Sequence, residues 1–142
     1  MISAIFSHSL RVYAEDTDMM GIVYHSNHLC FFERARSEML RSYGLPLSNL
    51  AEYDCHFAIK EAQLCYLKPA LIDDWLTIET IIEKTGGCTL IFRQNMINEA
   101  RQKLCEAAIQ MVCVNKALKP KRLPDFLVEK IHQSATLMMT GQ

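Results

Sequence analysis

Two aspartates and a histidine lie close together in a short segment between two predicted regular elements. Asp16 and Asp18 fall in a polar loop that ends at Gly21, and His25 follows the apolar run 22–24. A carboxylate can act as a base or nucleophile, and free backbone N–H groups at a helix N-terminus favour a developing negative charge. With an apolar approach that excludes water, these are the parts that thioester hydrolysis requires. Acidic loops before helices also serve as solvated caps, and from the residues alone both interpretations stay open.

The elements on either side of this loop are a strand and a helix. Residues 8–16 alternate between apolar and polar side chains, which predicts a half-buried strand. Helical spacing begins near Ser26 or Asn27, either of which can cap a helix with its side chain, and continues for about 17 residues. Gly44 followed by Pro46 ends the helix. The apolar stripe predicted to be buried comprises Leu29, Phe31, Phe32, Ala35 or Arg36, Met39, Leu40 and Tyr43. We expect Arg34 and Arg36 to form salt bridges at the helix surface or between subunits.

The chain beyond residue 53 has the pattern of a β meander followed by a short tail. The predicted strands are 55–67, 74–84, 88–98 and 103–115. Gly86 and Gly87 indicate a tight hairpin between the second and third of these strands. The tail is basic around two prolines, and a weak amphipathic helix follows with Phe126, Leu127 and Ile131 on its apolar side.

This order of elements predicts a single α+β domain over residues 1–142. A strand, one long helix and four long strands with no helical pattern between them favour a five-stranded antiparallel sheet with the helix covering one face. Such a sheet has two open edges, and pairing with a second copy would close an edge. We therefore expect at least a homodimer.

Composition excludes several classes of protein. The net charge is −1 and charged residues make up 22%, so there is no general electrostatic footprint for nucleic acid. No window is apolar and long enough for a stable membrane insertion, and the first residues do not form a signal-peptide core, so we expect a cytoplasmic protein. The six cysteines form no Cys-x-x-Cys pair and are predicted to be reduced core thiols. His28 and His56 lack metal-ligand spacing, and no metal site is expected.

The motifs around the candidate loop resemble the YbgC branch of the hotdog acyl-CoA thioesterases, relatives of 4-hydroxybenzoyl-CoA thioesterase. The resemblance is carried by the strings Arg-Val-Tyr at 11–13, Asp-Thr-Asp at 16–18, Gly-Ile-Val-Tyr-His at 21–25 and Phe-Glu-Arg-Ala-Arg-Ser-Glu-Met-Leu at 32–40. It extends through Tyr-Leu-Lys-Pro-Ala at 66–70, Asp-Asp at 73–74 and Val-Cys-Val at 112–114. Most of the chain is covered, and the Asp-Thr-Asp to Tyr-His string is far more specific than a short phosphate-loop motif.

The resemblance implies a hotdog fold, in which the sheet wraps around a central helix, with dimers pairing into tetramers and thioester cleavage between subunits. It places the general base or nucleophile at Asp18 and a histidine beside the thioester at His25. Backbone N–H groups of Tyr24 or His25 would bind the oxyanion. The implied reaction hydrolyses acyl-CoA, or an acyl carrier protein thioester, to free acid and thiol without a cofactor.

Two positions depart from the family pattern. Relatives often carry two tyrosines before the Glu-Asp pair, whereas this chain has Tyr13 followed by Ala14. Relatives also tend to have a small residue before the motif glycine, where this chain has Met20. The second difference would narrow the acyl pocket or change the loop, and it affects the expected substrate range more than the reaction type.

Further candidates for substrate binding lie in the loop and in the tail. Tyr13, Gly21 and Val23 are predicted to contact the substrate, although a strand tyrosine also packs well at an interface. The basic tail residues Lys119, Lys121 and Arg122 are candidates for the CoA phosphates, with a solvated loop as the alternative. Asp16 is predicted to be a structural loop carboxylate.

Two other functions are compatible with the same fold. A hydroxyacyl dehydratase would use a histidine with a carboxylate from the long helix, where Glu33 and Glu38 stand in a charged, solvent-facing pattern. A non-catalytic acyl-thioester binding or scaffolding module would not require Asp18.

Overall fold

The computed structural model describes residues 3–140, with side chains described as far as residue 135. The helices are α1 (Asn27–Ser42), α2 (Leu47–Ala51) and α3 (Asp125–Thr140), and the strands are β1 (Phe6–Arg11), β2 (His56–Tyr66), β3 (Trp75–Gly86), β4 (Thr89–Ile97) and β5 (Lys103–Val114). A short 3-10 turn, Ala14–Asp16, follows β1. Among the described residues, no helix combines the length and the apolarity that crossing a bilayer requires.

The five strands form one antiparallel sheet in the order β1-β3-β4-β5-β2. The α+β class and the four later strands are as predicted, to within two residues at each boundary. The first strand is shorter than predicted. Its alternation stops at Val12, and the chain then turns into the 3-10 segment instead of continuing extended to Asp16.

Helix α1 packs one side against the sheet because its apolar residues recur with helical spacing. Its buried residues are His28, Phe31, Phe32, Ala35, Arg36, Met39 and Leu40. Leu29, predicted to lie in this stripe, is exposed, and His28 is buried instead. The stripe therefore begins one residue earlier than the apolar side chains alone indicate.

Arg36 does not lie on the helix surface as predicted, because its side chain is only 4% exposed. Its guanidinium donates to Gln94 Oε1 (2.9 Å), and Gln94 Nε2 donates to the carbonyl of Phe32 and to Thr80 Oγ1. Burial lowers the pKa of Arg36 to about 10, and the charge of Glu33 opposes this shift. The network ties α1 to β3 and β4 through groups that would be costly to bury unpaired.

The tail helix is longer than the sequence indicates. Helix α3 has 16 residues, as many as α1. The three residues predicted for its apolar side pack against the rest of the chain. Leu127 and Ile131 are fully buried, and the Phe126 ring lies against the Tyr53 ring with 5.1 Å between centroids. Residues 3–140 thus contain two long helices, α1 and α3, where the sequence predicted one.

The sheet has two ends that carry different loops. At the first end, where β2 stops and β3 starts, the loop after β1 bonds to the β2–β3 connection. At the second end, where β5 stops, the basic tail loop bonds to the β3–β4 hairpin through Leu123 N–H and the carbonyl of Gly87 (2.8 Å). The twelve residues of β5 separate these two ends by roughly 36 Å.

Candidate active site

Asp18 stands at the tip of a tight loop at the first end of the sheet. Its backbone N–H donates to the carbonyl of Ile22 (2.9 Å), and its own carbonyl accepts from Gly21 N–H (3.1 Å). Gly21 has a φ of +75°, a conformation that side chains disfavour, which explains the glycine in the motif. The carboxylate is exposed and accepts one hydrogen bond, from Met20 N–H to Oδ1 at 2.8 Å. Its Oδ2 has no hydrogen-bond partner among the described residues and is free to react.

The loop folds back on the start of α1. The carbonyl of Asp16 accepts hydrogen bonds from Tyr24 N–H (3.0 Å) and from the Asn27 amide (2.9 Å). The Asp16 carboxylate accepts from Tyr13 N–H at 2.8 Å, so Asp16 has the structural role that was predicted. Neither Ser26 nor Asn27 caps the helix with its side chain, contrary to the prediction, because the Asn27 side chain holds the loop instead.

The start of α1 presents two unpaired N–H groups. The N–H of His25 and the N–H of Ser26 donate to no acceptor within residues 3–140, since neither occurs among the hydrogen bonds of this segment. Of the two predicted oxyanion donors, Tyr24 is corrected: its N–H is already used by Asp16. The His25 N–H stays a predicted donor, and the unpaired Ser26 N–H beside it was not indicated by the sequence. Such unpaired groups at a helix N-terminus favour negative charge.

The His25 carbonyl next to these N–H groups is itself tightly held. It accepts a hydrogen bond from the Tyr66 hydroxyl (2.8 Å), and His28 Nδ1 lies 3.2 Å away. The His25 imidazole is exposed and lies against the Tyr24 ring, with 4.4 Å between centroids. Tyr66 and His28 were not predicted to belong to the site. Tyr66 lies 41 residues from His25, so no local spacing could have indicated the contact.

Exposed apolar side chains surround the loop. They are Met19, Met20, Tyr24, Leu29, Tyr66, Leu67, Leu71 and Ile72, and several are linked through the bridge between Ile22 and Leu71 and the hydrogen bond from Ile72 N–H to the carbonyl of Gly21. Concentrations of exposed apolar groups are typical of surfaces that bind a ligand or another protein. Met20 is 82% exposed, so within one chain it narrows no pocket.

The three predicted substrate contacts in the loop, Tyr13, Gly21 and Val23, lie in different surroundings. Tyr13 is exposed beside the loop and remains available. Val23 is buried at 6% exposure in the core, and its N–H donates to the carbonyl of Ala70 (2.8 Å), so neither its side chain nor its N–H is available at the surface of the single chain. Gly21 shapes the loop through its backbone conformation. Its contribution is therefore structural, within the same site.

The basic tail loop lies at the second end of the sheet, away from Asp18 of the same chain. Lys119 and Arg122 are exposed. Lys121 is half-buried, and its ammonium donates to the carbonyls of Tyr53 (2.6 Å) and Asp54 (3.2 Å). The prediction that Lys121 binds a phosphate is therefore corrected: its charge is used to fasten the tail to the start of β2.

The carboxylates of α1 are not placed for dehydratase chemistry. Glu33 is exposed and accepts from the Ser37 hydroxyl (2.8 Å), and Glu38 pairs with Arg41 at 3.4 Å. Both belong to the solvent face, as the sequence pattern indicates. Within the described residues, no three His, Cys, Asp or Glu side chains are grouped closely enough to hold a metal ion.

A large groove lies elsewhere on the chain. It has a volume of about 920 Å³ and runs over the face of the sheet that carries Glu79, Ile81 and Arg93, opposite the face that packs against α1. None of its lining residues belongs to the Asp18 loop. This groove and the Asp18 loop are thus separate parts of the surface.

Comparisons with known proteins show the family of the chain. The sequence model described as the thioesterase-like superfamily matches residues 12–131. The chain is 37% identical to an acyl-CoA thioester hydrolase, YbgC, from Escherichia coli O6:H1, over 94% of this chain and 100% of the relative. A probable thioesterase from Bartonella henselae is 36% identical with a TM-score of 0.82, over 85% of this chain and 100% of the other. A 1,4-dihydroxy-2-naphthoyl-CoA thioesterase from Synechocystis is 25% identical with a TM-score of 0.83, over 90% and 96% of the two chains.

Proposed function

Because the chain belongs to the thioesterase-like superfamily, within its YbgC branch, we propose that it hydrolyses acyl-CoA thioesters at Asp18 and the start of α1. One observation carries this assignment of residues. An exposed carboxylate with a free oxygen stands on a loop that is bonded directly to the turn carrying the unpaired N–H groups of His25 and Ser26.

The proposed reaction needs only water as co-reactant. The thioester carbonyl oxygen faces the His25 N–H, which stabilises the negative charge that develops on it. Asp18 either removes a proton from the attacking water or attacks the carbonyl carbon itself. On the general-base route the water oxygen bonds to the carbonyl carbon, the C–S bond breaks, and the CoA thiolate takes up the proton that Asp18 removed. On the nucleophilic route the C–S bond breaks to leave an anhydride between the acyl group and Asp18, the CoA thiolate takes up a proton from water, and a water then hydrolyses the anhydride to the free acid and the Asp18 carboxylate. The His25 ring orients the substrate or the water. No metal or redox cofactor takes part.

The site is completed by a second copy of the chain. Strand β2 is an edge strand of 11 residues, and eight of its residues from Ala58 onward are exposed. A long edge with unpaired backbone groups is a template for another strand. Two β2 strands related by a two-fold axis would pair antiparallel and join the two sheets. The exposed apolar side chains around Asp18 would then lie at the boundary between the copies, where water is excluded.

The same pairing gives the basic loop a role. An antiparallel β2 pair reverses the second sheet, so the second end of one copy lies beside the first end of the other. Lys119 and Arg122 of one copy would then meet the nucleotide of a CoA bound at Asp18 of the other copy. Their exposure and their charge fit the CoA phosphates. An acyl carrier protein would present the same thioester with its own phosphopantetheine arm.

The remaining proposals concern the cellular location, the tetramer and the two alternative functions. We place the protein in the cytoplasm, where its six free cysteines fit a reducing compartment. The YbgC branch is also expected to form tetramers from two such dimers. Neither the dehydratase nor the non-catalytic binding module is favoured, because the helix carboxylates face solvent and Asp18 is present.

A panel of acyl-CoAs of increasing chain length, assayed by release of the thiol, tests the proposed function. We expect turnover of at least one member by the wild-type protein and a strong loss in Asp18→Asn. No thiol release from any member, or equal release by both proteins, would contradict the proposal. Light scattering at micromolar concentration should give the mass of a dimer or a tetramer, and an active monomer would exclude a site built from two copies.

A further inference from the structure

The peptide bond between His25 and Ser26 is held at its carbonyl from two directions. The Tyr66 hydroxyl donates to this oxygen at 2.8 Å, and His28 Nδ1 lies 3.2 Å from it. The two rings also touch each other edge to face, with centroids 4.9 Å apart and planes at 83°. Rotation of this peptide would break the hydrogen bonds, so its orientation is fixed.

The two groups come from different elements of the fold. His28 lies in the first turn of α1 and is 3% exposed, whereas Tyr66 is the last residue of β2 and is half-exposed. Burial lowers the pKa of His28, and backbone hydrogen bonds to His25 and Tyr24 oppose the shift. Burial also raises the pKa of Tyr66, so its hydroxyl keeps the proton that it donates.

The carbonyl of His25 and the N–H of Ser26 belong to the same amide. Hydrogen bonds at an amide oxygen draw electron density away from its nitrogen, which makes the N–H a stronger donor. The Ser26 N–H has no acceptor within residues 3–140. A polarised, fixed and unpaired donor therefore lies directly after the His25 N–H, at the point where the oxyanion is expected.

We propose that Tyr66 and His28 are positioning residues that orient and polarise the Ser26 N–H as a second oxyanion donor. This inference rests on the proposed function and deepens it, because it extends the site from one backbone donor to two. It also gives the end of β2 a task in the reaction besides pairing with a second copy.

The variant Tyr66→Phe tests this role, because it removes the hydroxyl and keeps the ring that contacts His28. We expect kcat to fall about tenfold, since the loss of an oxyanion-hole donor itself costs more. KM, the melting temperature and the mass in solution should stay unchanged. The matched control is Tyr53→Phe, at the other end of the sheet, whose hydroxyl has no hydrogen-bond partner among the described residues. Its kcat should equal that of the wild type.

A second readout does not depend on turnover. In Tyr66→Phe the amide proton of Ser26 should shift upfield in the NMR spectrum, because its amide is less polarised, whereas Tyr53→Phe should leave it in place. If the wild type cleaved no acyl-CoA, the proposed function would fail while this shift still tested the positioning. The inference is overturned by an unchanged kcat, by an unchanged Ser26 shift, or by a loss of kcat that accompanies a lower melting temperature or mass.

Discussion

The two ends of the sheet are built in opposite ways. At the Asp18 end, backbone N–H groups are unpaired, a carboxylate oxygen is free and apolar side chains lie in solvent. At the basic end, polar groups are largely satisfied within the chain: Asp54 accepts from Lys116 N–H and contacts His56, and Lys121 binds two carbonyls. Most polar groups of the basic end are thus satisfied within the chain, whereas those of the Asp18 end are left available to the substrate and the second copy that we propose.

The sharpest way to test this contrast is to neutralise one aspartate at each end. Asp18→Asn should lower kcat by at least ~100-fold, because it removes a general base or nucleophile. Asp54→Asn keeps an oxygen that can accept from Lys116 N–H and should leave kcat near the wild-type value. Steady-state thiol release measures both. Near-normal turnover by a folded Asp18→Asn protein would place the chemistry elsewhere.

The histidine at the Asp18 end should matter less than the aspartate. His25→Ala should lower kcat roughly tenfold or more, but by less than Asp18→Asn, since the ring only orients the substrate or the water. The backbone N–H of residue 25 survives this change, so the oxyanion donor remains. If His25→Ala were the more damaging of the two, the roles of the two residues would have to be exchanged.

The basic end should influence binding and not turnover. Replacing Lys119 and Arg122 together with Gln should raise KM for acyl-CoA several-fold with kcat nearly unchanged, which is the pattern of lost uniform binding. The salt dependence of KM should also become weaker. Lys121→Gln is the matched contrast: it should lower the melting temperature, because its ammonium fastens the tail to the start of β2. An unchanged KM in the double variant would leave the loop a solvated surface.

Mixed dimers show which copy supplies the basic loop. In a dimer of one Asp18→Asn chain and one Lys119→Gln/Arg122→Gln chain, one site combines an intact Asp18 with the intact loop of the other copy. We expect this mixture to recover the wild-type KM. If the loop acted on its own chain, no site would have both parts and KM would stay raised.

The smallest expected effect concerns acid stability at the Asp18 end. Burial holds the pKa of His28 below its ordinary value of 6.5, so the unfolded chain binds a proton more readily than the folded chain as the pH falls. The folded state keeps this contribution above pH 6.5 and loses it as the pH drops towards the lowered pKa. Denaturant titrations should therefore show a shallower loss of stability below pH 6.5 in His28→Gln than in the wild type. Equal slopes would show that His28 does not carry the effect.

The elements that could be predicted closely are those in which apolar residues repeat at regular intervals. Alternation in β3, β4 and β5 and helical spacing in α1 reflect one buried face each, so their bounds could be predicted closely. Asp18 and His25 could be predicted as site residues because their residue types occur in a specific motif, and their roles stay predictions. The hairpin at Gly86 and Gly87 follows from local turn chemistry in the same way.

The errors concern contacts between distant segments. Lys121 and Arg36 are residue types that usually lie on the surface. Here the Lys121 ammonium donates to a carbonyl just before β2, and the Arg36 guanidinium donates to Gln94 on β4. Tyr66, the last residue of β2, donates to the His25 carbonyl. The N–H of Val23 donates to the carbonyl of Ala70, and Val23 is buried in the core. No spacing within one element indicates such partners, because the fold alone brings them together.

Two of the six cysteines lie in contact, which their spacing in the sequence did not indicate. Cys55 Sγ, just before β2, lies 3.2 Å from Cys113 Sγ on β5, and both residues are buried as free thiols. Burial raises the pKa of Cys55 to about 12, and the neighbouring Cys113 thiol adds to the shift. Both sulfurs are buried, so an oxidant in solvent has little access to the folded pair despite its short separation. Oxidation would have to wait until the start of β2 leaves β5 for a moment. The rate of disulfide formation under a mild oxidant would then measure how often this end of the sheet opens locally.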